Sequence, residues 1–126
     1  MKRILFLMIV LLTAGMVSAQ QKEASITVTG STVHDFGEVK ESDGSVSHTF
    51  TVINNGELPL VISRVVASCG CTTPEWTKEP IAPGKTGDIT VTYHTTGRPG
   101  PFNRTVSVYS NGKTGNYVLT VKGEVK

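Results

Sequence analysis

Apolar residues recur with a period of two along most of this chain. Val46, His48, Phe50 and Val52 share one parity, with Ser47, Thr49 and Thr51 on the other. Ile26 and Val28 alternate with threonines, and Leu60 and Ile62 alternate with Val61 and Ser63. Ile89, Val91 and Tyr93 alternate with Thr90, Thr92 and His94. Phe102, Val106 and Val108 share a parity broken only by Arg104, and Tyr117, Leu119 and Val121 form the last apolar set. Successive side chains of a strand point to opposite faces, so this alternation predicts half-buried antiparallel strands. It places Phe50, Val52, Leu60, Ile62, Val91, Tyr93, Val106, Leu119 and Val121 in a core. Threonine and valine enrichment agrees with strands, and no long stretch carries helical periodicity.

Turn chemistry separates these runs. Asn54-Asn55-Gly56 ends one strand and Pro59 opens the next; Pro83-Gly84 precedes the Ile89 run. Gly97-Arg98-Pro99-Gly100-Pro101 and Asn111-Gly112 punctuate the C-terminal half. Asn-Gly is expected to supply the positive φ of tight hairpins. Residues 20–25 read as a polar, flexible start, and residues 69–84, with three prolines, as the longest irregular piece. Short strands at regular spacing predict an all-β fold: an immunoglobulin-like antiparallel β-sandwich of about seven strands, spanning residues 25–126. The distant cysteine pair of an antibody-type domain is absent, so the core must hold by packing.

Residues 1–19 stand apart. Lys2 and Arg3 precede an apolar run at residues 4–12, and Val17-Ser18-Ala19 supplies small residues at a cleavage point. This is the pattern of a secretory signal peptide, and the run is short of the about 20 residues that span a bilayer. Cleavage after Ala19 leaves 107 of the 126 residues, one domain, with no transmembrane segment expected thereafter. It also removes two of twelve basic residues, leaving ten against ten acidic ones. A chain without net charge lacks the electrostatic footprint of a nucleic-acid binder. The expected localisation is the periplasm, with secretion or the cell surface as alternatives.

The motif that stands out is Cys69-Gly70-Cys71. On an extended strand both sulfurs would face one side with Cα atoms about 6.5–7 Å apart, at the upper edge of disulfide reach. Gly70 can let the backbone bend and close that distance. Three readings stand open. The cysteines are small packing side chains, or a disulfide that is structural or redox-active, or two ligands of a soft metal such as copper or zinc. A metal would need further ligands from His34, His48 or His94, which are dispersed. His48 and His94 are expected to make cross-strand polar contacts, and His34 to lie at an exposed strand edge beside Asp35. Trp76, the only tryptophan, reads either as packing under the irregular loop or as an interface anchor on it. No Gly-x-Ser-x-Gly elbow, paired catalytic carboxylates or phosphate loop is present, so an enzyme is not expected, nor is a cofactor.

Several of these segments together resemble one family. Ser47-His48-Thr49-Phe50, Asn54-Asn55-Gly56, Pro59-Leu60-Val61-Ile62, Ala67-Ser68-Cys69-Gly70-Cys71-Thr72, Pro83-Gly84 and Gly97-Arg98-Pro99-Gly100 are similar to bacterial domain-of-unknown-function family 1573. The likeness runs over residues 33–125, and its Ser-Cys-Gly-Cys-Thr block is the most specific part. It implies an exported immunoglobulin-like domain, related in shape to hydin-type and major-sperm-protein-like domains. It implies no reaction, and marks only Cys69 and Cys71 as candidate site residues. The expected function is therefore non-enzymatic: an exported module that binds a protein or another component of the cell envelope. The alternative is a thiol-redox or metal-handling protein that uses Cys69 and Cys71.

Overall fold

The computed structural model describes residues 22–113 and 115–126. The expected signal segment, with its expected cleavage point after Ala19, lies outside the described residues. The described residues form eight strands: β1 (Ile26–Val28), β2 (Val33–Val39), β3 (Ser45–Asn54), β4 (Ile62–Ala67), β5 (Thr72–Trp76), β6 (Thr86–His94), β7 (Gly100–Ser110) and β8 (Asn116–Val125). They make two four-stranded sheets, ordered β1-β3-β6-β5 and β2-β8-β7-β4. One turn of 3-10 helix, Glu41–Asp43, links β2 to β3. Among the described residues no helix is long and apolar enough to cross a membrane.

The alternation folds as its parity requires. All nine expected core residues are 4 % exposed or less. Ile26, Val65, Ile81, Ile89 and Val108 join most of them in one large cluster. A smaller cluster at the other end holds Cys71, Tyr93, Phe102 and Val125. There the Tyr93 and Phe102 rings stack with centroids 3.8 Å apart. Full burial of each such aliphatic or aromatic side chain contributes roughly 1.5–3 kcal/mol.

Four expectations need correction. The sandwich is not wholly antiparallel, because β2 runs parallel to β8, pairing Val33 with Thr120 and Val39 with Val125. The piece at residues 69–84 is not all irregular: Thr72–Trp76 is β5, paired antiparallel with β6. Its Pro74 is tolerated because β5 is an edge strand, where a missing N–H can face away from the ladder. The start is not loose from residue 23 onward. Ala24 is buried and bridges to Gly112, and the Glu23 carbonyl accepts the Glu57 N–H at 2.7 Å.

The fourth correction concerns Asn-Gly. Neither Gly56 nor Gly112 has positive φ. Asn54 instead acts through its fully buried amide. Its Oδ1 accepts the Ser25 and Gly56 N–H groups at 3.2 and 2.9 Å. Its Nδ2 donates to the Leu58 and Ile81 carbonyls at 2.7 and 2.9 Å. Gly56 is there for space, since a Cβ would stand 2.6 Å from Ser25 N and 2.7 Å from Ala24 C.

Candidate functional site

The Cys69–Cys71 turn sits where the chain leaves one sheet for the other, between β4 and β5. The Thr72 N–H donates to the Cys69 carbonyl at 3.3 Å, closing a four-residue turn. The bend brings the two Cα atoms to 5.3 Å, and the sulfurs are bonded to each other. Of the three sequence readings, the structure therefore has the disulfide. Gly70 needs no special φ, and a Cβ there would meet nothing within 4 Å. The sulfurs differ in environment. Cys71 is 2 % exposed against Tyr93, Phe102 and Val125, while Cys69 is only partly buried. The Cys71 N–H donates to Cys69 Sγ at 3.2 Å, and Thr72 Oγ1 lies 3.6 Å from Cys71 Sγ.

No histidine joins them. His94 Nε2 pairs with Thr73 Oγ1 across the sheet at 3.0 Å, the cross-strand contact expected of it. His34 and His48 instead meet each other, with rings stacked 3.7 Å apart and 6° from parallel. Among the described residues no three or more His, Cys, Asp or Glu side chains gather as a metal site.

Trp76 lies at the end of β5, half-buried against the large core cluster. The Lys78 ammonium stands 3.1 Å from its ring centroid. Both features fix the ring: apolar contact below and a cation–π contact above. Packing thus accounts for most of its surface.

One feature was not legible in the motifs: the open edge of β3. This strand pairs with β6 over nine unbroken steps, from Ser45–His94 to Ile53–Thr86. Its other neighbour, β1, pairs with Val52 to Asn54, and the Thr29 N–H just beyond it reaches the Thr51 carbonyl at 2.9 Å. Among the described residues no strand pairs with Ser45–Phe50 on that side. Beneath this edge the His34–His48 stack bridges β3 to β2, beside a groove of about 290 Å³ lined by Val28, Ser31, His34, His48 and Phe50. His48 has its pKa held below the ordinary histidine value of 6.5, by burial first and by the neighbouring His34 charge second. The other free edges carry the usual guards against unintended pairing. β2 has a register break between Asp35 and Glu38, β4 has one between Ile62 and Arg64, β5 contains Pro74, and β1 is only three residues long. The β3 segment has no charge, no proline and no bulge. A sequence signal existed in the mismatch between the three-residue β1 run and the ten-residue β3 run.

The fold has known counterparts. A Porphyromonas gingivalis W83 protein of unknown function superposes with a TM-score of 0.69 at 17 % identity, over 87 % of this chain and 51 % of its own. The chain thus spans about half the length of that protein. A human CEP192 ASH/PapD-like domain superposes with a TM-score of 0.66 at 6 % identity, over 87 % of this chain and 91 % of its own. The YadV chaperone superposes with a TM-score of 0.54 at 15 % identity, over 81 % of this chain and 51 % of its own. Identities this low speak to the fold alone. No curated protein matches the chain. The family described as protein of unknown function (DUF1573) matches over residues 26–125, and the chain belongs to it.

Proposed function

We propose that this chain is an exported, non-enzymatic binding module of the cell envelope that takes an extended segment of a partner protein along the β3 edge. The observation that carries the reading is the unguarded edge at Ser45–Phe50, while the outer edges of β2, β4 and β5 are guarded and that of β1 is only three residues long. Such an edge presents a row of unpaired N–H and C=O groups, and an added strand satisfies them through main-chain hydrogen bonds. Specificity would come from alternate side chains. Those on one parity face Ser47 and Thr49 on the outer surface, and the others approach the His34–His48 groove. Export to the periplasm rests on the three-part pattern of residues 1–19.

Two measurements test the reading together. A photo-reactive residue at Ser47 or Thr49, in cells that make the protein, should cross-link to one partner, and the same residue at Arg64 on the β4 edge should not. Adding that partner to the purified chain should slow hydrogen exchange at residues 45–50. Equal cross-linking from Arg64 would remove the proposal. So would edge amides that already exchange slowly in the isolated monomer.

A further inference from the structure

We propose that the Cys69–Cys71 disulfide is a thiol–disulfide exchange site for thiols of other proteins, with Cys69 as the sulfur that forms the mixed disulfide and Cys71 as the sulfur that resolves it. The inference is independent of strand addition at β3.

Three observations carry it. The first is that the bond staples almost nothing. It closes a loop with one intervening residue, so it removes little entropy from the unfolded chain. The turn is held by other means. Ser68 N–H donates to the Thr105 carbonyl at 3.0 Å, His94 N–H to the Cys71 carbonyl at 2.9 Å, and Thr72 N–H to the Cys69 carbonyl. The fold can therefore carry either redox state, which reversible chemistry requires.

The second is the asymmetry of the two sulfurs. An incoming thiolate must approach the sulfur it attacks along the S–S axis. Cys71 is sealed against Tyr93, Phe102 and Val125, so only the partly exposed Cys69 is open to approach. Attack there forms a bond between the external sulfur and Cys69 Sγ. The Cys69–Cys71 bond breaks and its electron pair leaves on Cys71 Sγ, where the Thr72 hydroxyl can donate to it. A second external thiolate then attacks the external sulfur of the mixed disulfide and releases Cys69 as a thiolate. In sum, two thiols become one disulfide, and the protein disulfide takes two electrons and two protons. In reverse, the Cys69 thiolate attacks an external disulfide and expels one thiolate, and the Cys71 thiolate then attacks Cys69 Sγ, resolving the mixed disulfide and expelling the second.

The third is the surroundings of Cys69. The Cys71 N–H already points at its sulfur and would meet a thiolate formed there. The Ser68–Thr105 hydrogen bond extends the β4–β7 ladder one step past the Ala67–Val106 pair. Cys69 follows in the turn past the end of β4, and Arg104 is the next residue along β7. Arg104 shares the inward parity of Phe102 and Val106, and its Nε is buried without a hydrogen-bond partner among the described residues. A guanidinium within reach of a cysteine sulfur would favour the thiolate, the form that exchanges. The register makes Arg104 the candidate positioning charge for Cys69.

The test uses the full mature chain and glutathione as the probe thiol. Equilibration across glutathione/glutathione-disulfide ratios, followed by acid quench, alkylation and intact mass, should show reversible conversion between disulfide and dithiol with an unchanged circular dichroism spectrum. Cys71→Ser should trap glutathione on Cys69. Cys69→Ser should react at Cys71 at least ten-fold more slowly. In the Cys71→Ser background, Arg104→Gln should move the pH midpoint of Cys69 alkylation upward, a change that a merely structural arginine would not produce. Reduction that occurs only after denaturant unfolds wild type would overturn the proposal, and that result needs no variant to fold. Equal reactivity of the two cysteines would overturn it as well.

Discussion

Asn54 shows how much one side chain can organise. It is fully buried, and its amide satisfies four backbone groups drawn from three separate segments: Ser25, Gly56 with Leu58, and Ile81. A buried polar group left without a partner costs about 1–3 kcal/mol, and Asn54→Ala would strand several at once. The expected loss is at least about 3 kcal/mol in a denaturant titration. Asn54→Asp should recover part of it, since a carboxylate keeps the acceptor toward Ser25 and Gly56 but loses the donor toward Leu58 and Ile81. A loss under about 0.5 kcal/mol for Asn54→Ala would mean that water replaces the amide at little cost. The sequence marked this spot as a turn, but for the wrong physical reason. Asn-Gly is read for positive φ because that is its commonest use. Nothing local distinguishes an asparagine that bends its own backbone from one that ties down segments 27 residues away.

At the scale of elements, strands with clean alternation were legible and strands without it were not. β3, β6, β7 and β8 each carry at least three inward apolar residues at period two. β2 mixes Val33, Phe36 and Val39 across both parities, because a bulge shifts its register between Asp35 and Glu38. β5 hides behind Pro74, which demotes a strand reading wherever its edge position is unknown. Pairing also brings together residues whose chemistry the sequence leaves apart. His34 and His48 were separate strand residues until β2 met β3, and the meeting makes the seam between the sheets sensitive to pH. The folded His48 has a lowered pKa, so the unfolded chain binds more protons. Stability should therefore be fully present above the ordinary value of 6.5 and should fall as pH drops below it toward the folded pKa. Thermal midpoints measured between about pH 7.5 and 5.5 should show this slope, and His48→Gln should flatten it. An unchanged slope in that variant would place the titration elsewhere.

For the whole molecule, the apolar alternation was enough to assign a sandwich and its core, because burial of one face is a property each strand carries by itself. The order of strands is not such a property. β2 pairs with β8 in parallel, joining residues near opposite ends of the domain, and no local signal specifies that partner. The same non-locality has an energetic consequence. β3 and β6 form an unbroken ladder of nine pairs at the centre of one sheet, backed by Phe50, Val52, Ile89 and Val91. β2 has a single strand neighbour, a register break and no fully buried residue. Local stability follows buried contacts and ladder continuity, so β2 should open while the rest stays folded. Native-state hydrogen exchange should find the bonded amides of β3 and β6 exchanging at the global unfolding free energy, and those of β2 at a clearly lower one. Leu119→Ala, in β8 and fully buried, should cost about 2–5 kcal/mol globally, lowering the β3 and β6 values by that amount. The β2 values should move less, because their exchange proceeds through an opening in which the main core is intact. If β2 and β6 shared one exchange free energy and fell together, the domain would unfold as a single unit, and the parallel strand would be as firmly held as the centre of the opposite sheet.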